Sequence, residues 1–177
     1  MLRLASYLIV RSFTSIAILV FSLYFICNAH PAQAVDSEGI KSEDFTFADA
    51  HGAKHSLKDY FGKFVVINLW ATWCGPCVKE MPSLARLQID YKDKGLAVLA
   101  ISEDHAISDA IDFYNSHAIS AFEPLTDTDH HIMQLIGAQG IPTSVLVDKN
   151  GKIVKILEGD INWQSPEITQ AMNEWLK

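Results

Sequence analysis

The motif Trp-Cys-Gly-Pro-Cys at residues 73–77 constrains this chain more than any other feature, because two closely spaced cysteines stand between a predicted strand and a predicted helix. Residues 64–69 (FVVINL) form a continuous apolar run rich in β-branched side chains, which is typical of a strand buried on both faces. Apolar residues then recur at spacings of three and four, at Val78, Met81, Leu84, Leu87 and Tyr91. This spacing predicts a helix with one buried face.

The position of the two cysteines indicates redox chemistry, because such a pair can exchange a dithiol for a disulfide with a partner. Cys74 is expected at or just before the first helical turn, where unpaired backbone N–H groups and the helix dipole favour a thiolate. Cys77 follows within bonding distance but inside the helix. The pattern therefore predicts an exposed sulfur that attacks and a shielded sulfur that resolves the intermediate.

The first 34 residues have the features of an export signal. Two arginines precede an apolar run over residues 16–26, and residues 32–34 (Ala-Gln-Ala) offer a small-x-small cleavage site. The alternative is a retained membrane anchor, but the extended apolar stretch, residues 13–27, is shorter than the roughly 20 residues that span a bilayer. We interpret residues 1–34 as a signal peptide and residues 35–177 as the folded domain, associated with a membrane only if the signal is retained.

Cysteine usage and charge narrow the function further. Cleavage after Ala34 would remove Cys27, so the mature domain would hold only Cys74 and Cys77. A domain of this length buries a core without disulfide staples, which leaves the pair available for chemistry. Cleavage would also remove two of the 14 basic residues and none of the 21 acidic ones, which changes the net charge from −7 to −9. An acidic domain without a basic run is a poor candidate for nucleic acid binding.

Strand and helix patterns alternate along the rest of the chain. One hairpin is predicted around Gly52, a second buried strand at residues 96–101 (LAVLAI), and another hairpin around the Asp-Lys-Asn-Gly turn at residues 148–151. Further helices are predicted around residues 107–114, 132–136 and 166–175. This order predicts an α/β domain with a mixed central sheet flanked by helices.

Two segments carry a resemblance to a known family. Residues 73–82 (WCGPCVKEMP) and residues 140–144 (GIPTS), in this order of elements, resemble the thioredoxin fold and, more narrowly, the secreted thioredoxin-like disulfide reductases of the TlpA and ResA type. The resemblance covers nearly all of residues 40–177. It implies a thioredoxin fold with an N-terminal β-hairpin extension, and a thiol-disulfide exchange that requires no cofactor.

The resemblance also implies roles for single residues. Cys74 matches the attacking cysteine of the family, and Cys77 matches the resolving one. Pro142 matches a proline whose preceding peptide bond is cis and lies against the cysteine loop. The backbone of Ile141 would then lie beside the sulfurs, where an extended substrate segment could pair with it.

Three residues around the cysteines are predicted to bind substrate. The large ring of Trp73, next to Cys74, is expected to shape the contact surface rather than to fill the core. Gly75 and Pro76, between the cysteines, are predicted to contact substrate as well. This Gly-Pro dipeptide is similar to that of the reducing members of the superfamily more than to that of the strongly oxidising ones.

Glu80 is the predicted partner of the cysteine pair in proton transfer. Ordinary cytosolic thioredoxin has an aspartate six residues before its first cysteine, where this chain has Asn68, which cannot take up a proton. Glu80 lies one helical turn after Cys77, and residues three apart share a helix face. We hypothesise that partial burial raises the pKa of Glu80 and that its carboxyl group exchanges a proton with Cys77.

Metal binding is not favoured by the sequence. A structural zinc site needs four ligands, and the chain has no second pair of closely spaced cysteines. His130 and His131 are adjacent, so their side chains diverge on a helix and are expected on a solvated face.

The predicted function is a thiol-disulfide oxidoreductase that reduces disulfides outside the cytoplasm, in the periplasm or an equivalent compartment. The resemblance implies protein disulfide substrates, apocytochrome c among them, and a membrane protein that supplies electrons. Two alternatives remain: a disulfide-forming oxidase, which differs in reduction potential, and a copper-handling module that uses the two thiolates and a histidine.

Overall fold

A seven-stranded mixed sheet forms the centre of the computed structural model, which describes residues 40–177. The strands are β1 (Thr46–Asp49), β2 (Lys54–Ser56), β3 (Phe64–Trp70), β4 (Leu96–Ser102), β5 (Leu125–Thr126), β6 (Thr143–Val147) and β7 (Ile153–Glu158). The helices are α1 (Gly75–Tyr91), α2 (Ile107–Ser116), α3 (His131–Ile136) and α4 (Pro166–Trp175). The strand order is β2-β1-β5-β4-β3-β6-β7. The predicted α/β thioredoxin fold, with its mixed sheet and N-terminal hairpin, is confirmed.

The central strands place the cysteine motif at one edge of the sheet. β3 pairs in parallel with β4 and antiparallel with β6, and every residue of β3 and β4 is buried. Trp70 at the end of β3 is in register with Ser102 at the end of β4. The loops that follow these two strands therefore leave the sheet side by side, and one of them carries the cysteines.

Two apolar clusters pack against the sheet, and β3 contributes alternate side chains to each. Val66 and Trp70 belong to one cluster, and Val65, Ile67 and Leu69 belong to the other. Because successive side chains of a strand point to opposite faces, the clusters lie on the two sides of the sheet. The predicted burial of β3 on both faces is confirmed.

Helix α1 begins at the cysteine motif. Cys74 is its N-cap and Pro76 lies in its first turn, which suits a residue without an N–H donor. The helix continues through Pro82 to Tyr91, and a short 3₁₀ turn (Lys92–Lys94) follows. Its buried face consists of Cys77, Glu80, Met81, Leu84, Leu87 and Tyr91.

One strand was not predicted from the sequence. The two-residue strand β5 lies between β1 and β4 and joins the N-terminal hairpin to the central sheet. Two residues are too few to produce a periodic pattern.

The predicted signal or anchor at residues 1–34 lies outside the described residues. None of the helices between residues 40 and 177 combines the length and apolar character that a membrane crossing requires.

Candidate active site

Cys74 and Cys77 form a disulfide at the start of α1. The backbone N–H of Cys77 donates a hydrogen bond to the Cys74 sulfur at 3.2 Å, so the first turn of the helix points a donor at that sulfur. Cys74 is 6 % exposed and Cys77 is fully buried. The expectation of an exposed Cys74 sulfur is wrong for this disulfide form, because the surrounding side chains cover most of the residue, although Cys77 is the more deeply covered of the two.

Trp73, Gly75 and Pro76 form an exposed rim around Cys74. Trp73 is 69 % exposed, so its indole ring is not part of the core. Trp73 therefore presents a large apolar surface next to Cys74. Trp70, by contrast, is fully buried and packs on Tyr114 and Phe113, as expected for a core residue.

The segment before β6 lies against the disulfide. The Ile141–Pro142 peptide bond is cis, as the family resemblance implied, and the Ile141 carbonyl oxygen lies 3.6 Å from the Cys74 sulfur. Thr143 fixes this turn, because its hydroxyl group donates to the Gly140 carbonyl oxygen at 2.7 Å. The structure therefore brings Ile141 and Pro142 to the cysteine pair.

Glu80 is buried on the inner face of α1 and is held by two hydrogen bonds. Its carboxylate accepts one from the Asn68 amide at 2.5 Å and one from the backbone N–H of Ile161 at 2.7 Å. Glu80 is only 3 % exposed, so its burial is more complete than expected. Burial raises the pKa of the Glu80 carboxyl group above its ordinary value, and the two hydrogen bonds offset part of that effect.

Asn68 contributes to the site as a donor. Its side-chain amide donates one hydrogen bond to the Glu80 carboxylate and another to the Ser144 hydroxyl oxygen, the latter at 3.0 Å. Asn68 therefore fixes the position of the Glu80 carboxylate, and its own amide cannot take up a proton.

A carboxylate outside the predicted site holds the loop leading into the motif. Asp104 is 1 % exposed and accepts hydrogen bonds from the Thr72 N–H (3.1 Å), the Thr72 hydroxyl group (2.9 Å) and the Ser102 hydroxyl group (2.8 Å). A usable signal was present, because Glu103 and Asp104 directly follow an apolar strand that is parallel to the one before the cysteines, and such strand ends meet at one edge.

Replacing Asp104 with alanine is expected to lower the free energy of unfolding by about 2 kcal/mol, because the Thr72 and Ser102 donors lose their acceptor. Urea unfolding measures this. Asp93→Ala, at an exposed position, is the matched control and is expected to change stability by less than about 0.5 kcal/mol. Equal effects of the two substitutions would contradict the assigned role of Asp104.

A second missed pair lies nearby. The Nδ1 atom of His130 lies 2.5 Å from the Glu103 carboxylate, and the Glu103 side chain is 1 % exposed. Burial raises the pKa of Glu103 to about 7, while the His130 contact lowers it in part and the charge of Asp127 raises it. The prediction of a solvated helix face is wrong for His130, because this residue precedes α3 as its N-cap and packs its ring on a buried acid.

Stability is expected to fall as the pH rises through the titration range of Glu103. The folded protein retains this proton up to about pH 7, whereas the unfolded chain loses it near 4.5, so the stabilising difference is complete below pH 4.5 and disappears by about pH 7. A loss of about 1–3 kcal/mol follows. Urea unfolding at pH 5 and pH 8 measures this loss in free energy of unfolding. The Glu103→Gln variant is expected to lose less between the two pH values. Equal losses in the variant and the wild-type protein would contradict the assignment of the effect to Glu103.

Metal chemistry finds no support in the geometry. Within residues 40–177, no group of three or more His, Cys, Asp or Glu side chains is arranged to hold a metal ion. The copper-handling alternative would therefore depend on the two thiolates alone, with no further ligand of these kinds from residues 40–177.

The sheet order, the disulfide at the first turn of a helix and the cis proline beside it define a thiol-disulfide oxidoreductase with a thioredoxin fold. Comparison with known proteins agrees. The Redoxin family profile matches residues 37–172, and the chain belongs to this family.

Two relatives at the sequence level are thiol-disulfide oxidoreductases named ResA. The one from Bacillus thuringiensis subsp. konkukian (strain 97-27) is 33 % identical over 139 residues, which cover 78 % of this chain and 76 % of the relative. The one from Geobacillus thermodenitrificans (strain NG80-2) is 32 % identical over 144 residues, 81 % of each chain. The predicted resemblance to the TlpA and ResA type is confirmed.

Solved structures give the same result. A candidate thiol:disulfide interchange protein DsbE from Chlorobium tepidum superposes with a TM-score of 0.68 at 29 % identity, covering 83 % of this chain and all of the other. The pneumococcal exposed lipoprotein thioredoxin Etrx1 from Streptococcus pneumoniae strain TIGR4 gives a TM-score of 0.63 at 25 % identity, with 73 % and 98 % coverage. The protein is therefore an oxidoreductase that acts through disulfide exchange.

Proposed function

We propose that this protein reduces disulfides of exported proteins, with Cys74 as the attacking residue and Cys77 as the resolving residue. The observation that carries the proposal is the position of the Cys74 sulfur. It lies at the N-terminus of α1, bonded to the deeper Cys77 and 3.6 Å from the backbone of Ile141.

The reaction consumes the reduced form of the pair. The Cys74 thiolate attacks one sulfur of a substrate disulfide, a mixed disulfide forms, and the other substrate sulfur leaves with the electron pair. Cys77 then loses its proton and attacks the Cys74 sulfur, which releases the second substrate sulfur as a thiolate. Two electrons pass to the substrate, and the enzyme returns to the Cys74–Cys77 disulfide.

Glu80 is proposed to take the proton of Cys77 in the second step. A carboxylate buried on the same helix face, with a pKa that burial raises, is better suited to accept this proton than an exposed one. Asn68 and the Ile161 N–H hold the carboxylate in place.

Substrate alignment is assigned to the surface around Cys74. The carbonyl group of Ile141, set by the cis bond to Pro142, could accept a backbone N–H from an extended substrate segment. Trp73, Gly75 and Pro76 form the exposed rim on which the rest of the segment would rest.

The proposed location is extracytoplasmic, with residues 1–34 as the export signal and residues 35–177 as the catalytic domain. Support comes from the charge and apolar pattern of residues 1–34 and from the likeness to an exposed lipoprotein thioredoxin. A reductase in an oxidising compartment needs a source of electrons, so we assign a membrane thiol protein as the donor and apocytochrome c as a candidate client.

A stoichiometric assay tests this function. Pre-reduced protein is mixed with a protein that contains one disulfide, and the thiols of each partner are counted after acid quenching. We expect one substrate disulfide to be reduced for each Cys74–Cys77 disulfide formed. Oxidation of a reduced substrate by the disulfide form, with no reaction in the first direction, would favour the oxidase. Stoichiometric Cu(I) binding with poor disulfide reduction would favour the copper module.

A further inference from the structure

A cavity of about 720 Å³ opens beside Cys74. Its wall includes Trp73 and Ile141, which the proposed function uses, and also Glu103 and His130, to which it gives no role. A substrate bound at Cys74 would therefore lie beside two further titratable side chains, those of Glu103 and His130.

The Glu103–His130 pair has the arrangement of an oriented proton donor. The buried Glu103 carboxylate lies 2.5 Å from Nδ1, which fixes the ring and leaves Nε2 as the nitrogen that Glu103 does not engage. The His130 side chain is 41 % exposed, whereas that of Glu103 is 1 % exposed. One member is therefore shielded and the other is accessible from the cavity.

The backbone supports a specialised role for His130. Its φ angle is +53°, a left-handed conformation that is uncommon for a residue with a side chain. Such conformations persist where surrounding contacts fix them, and they concentrate at functional sites. Here the His130 N–H donates to the Asp127 carbonyl oxygen at 2.9 Å, while the Asp127 carboxylate accepts the Ile132 N–H at 2.7 Å. The backbone and the side chain of Asp127 therefore both hold the start of α3 and fix the backbone of His130.

We propose that the Glu103–His130 pair protonates the sulfur that leaves the substrate when Cys74 attacks. This inference rests on the proposed function, and it assigns to the first exchange step a catalytic residue, His130, and a positioning residue, Glu103.

Cys74 forms a bond to one substrate sulfur, the substrate S–S bond breaks, and the departing sulfur takes the electron pair and the Nε2 proton. The proton shared between Nδ1 and Glu103 remains on the pair, which regains the other proton from water. No further oxidant or reductant is needed.

The proposed substrates are disulfides whose leaving group is an alkyl thiol, as in peptides and proteins. A thiol with a lower pKa leaves faster without help, so protonation matters most for alkyl leaving groups and least for acidic aromatic ones. General acid catalysis commonly contributes 10²–10⁴-fold, and we expect about 10-fold here, since a cysteine thiolate already leaves moderately well.

The test compares two small disulfides, bis(2-hydroxyethyl) disulfide and 5,5′-dithiobis(2-nitrobenzoate), in single-turnover reactions with the pre-reduced protein. His130→Gln and Glu103→Gln are each expected to react about 10-fold more slowly with the alkyl disulfide and within about twofold of wild type with the aromatic one. His131→Gln, at the adjacent histidine outside this cavity, is the matched control and should change neither rate.

The outcomes separate the two proposals. Equal slowing with both disulfides, or unchanged alkyl rates in His130→Gln, would overturn the proton-donor role. The aromatic reaction also reports on an intact cysteine pair, and His130→Gln alone decides the question if Glu103→Gln does not fold. If the wild-type protein reduces neither disulfide, the proposed function itself fails.

Discussion

Replacing Cys74 with serine is expected to lower the rate of disulfide reduction by at least about 10³-fold, a loss typical of removing a nucleophile. The serine hydroxyl group does not form an anion at neutral pH, so no attack on the substrate disulfide follows. All variants carry Cys27→Ser, which leaves residues 74 and 77 as the only candidate thiols. Loss of free thiols in pre-reduced protein mixed with substrate measures the rate.

Cys77→Ser is the matched partner variant and gives a different result. Cys74 still attacks, but no second thiol resolves the intermediate, so a mixed disulfide with the substrate should accumulate. Mass spectrometry without reductant detects the adduct and locates it on Cys74. Turnover at the wild-type rate in either variant, or an adduct in Cys74→Ser, would contradict the assigned roles.

The second large effect is expected at Glu80. Glu80→Leu removes the acceptor of the Asn68 amide and of the Ile161 N–H, and leaves the first donor in a buried site and the second in a partly buried one. The expected loss in free energy of unfolding is about 2–5 kcal/mol, since an unpaired buried donor costs about 1–3 kcal/mol. Urea unfolding measures it, and Glu123→Gln, at an exposed glutamate, serves as the control.

Glu80→Gln separates proton transfer from packing. The amide keeps the size of the side chain and one acceptor oxygen but cannot take the Cys77 proton, so resolution of the mixed disulfide should slow by about 10–100-fold. Single-turnover kinetics and thiol titration measure the effect. A variant whose titration curve and rate both match those of the wild-type protein would refute the role of Glu80.

Local pattern was sufficient for the elements that position the cysteines. Buried β3 is a continuous apolar run, α1 has its apolar face at helical spacing, and each predicted hairpin has a turn with glycine. These features depend on neighbouring residues, which is why the sequence carries them. The cis bond before Pro142 is different, because it came from the family resemblance and not from any local pattern.

The strand ends in the sequence indicate where Glu103 and Asp104 lie, but not which distant residues they contact. Glu103 and His130 are 27 positions apart, and Asp104 is 32 positions from Thr72. The sequence shows that Glu103 and Asp104 follow a strand. Which loops contact these two carboxylates is decided only by tertiary packing. Glu80 illustrates the same limit, since its second donor, the Ile161 N–H, lies 81 positions away.

The reduction potential of the Cys74–Cys77 pair tests the central claim most directly. Equilibration of the protein against dithiothreitol or glutathione buffers, with thiols trapped and counted, gives the value. We predict a potential near the thioredoxin end of the range, about −270 mV, where the dithiol form donates electrons readily. A value near −120 mV, typical of strongly oxidising members, would contradict a reductase and assign the protein to disulfide formation.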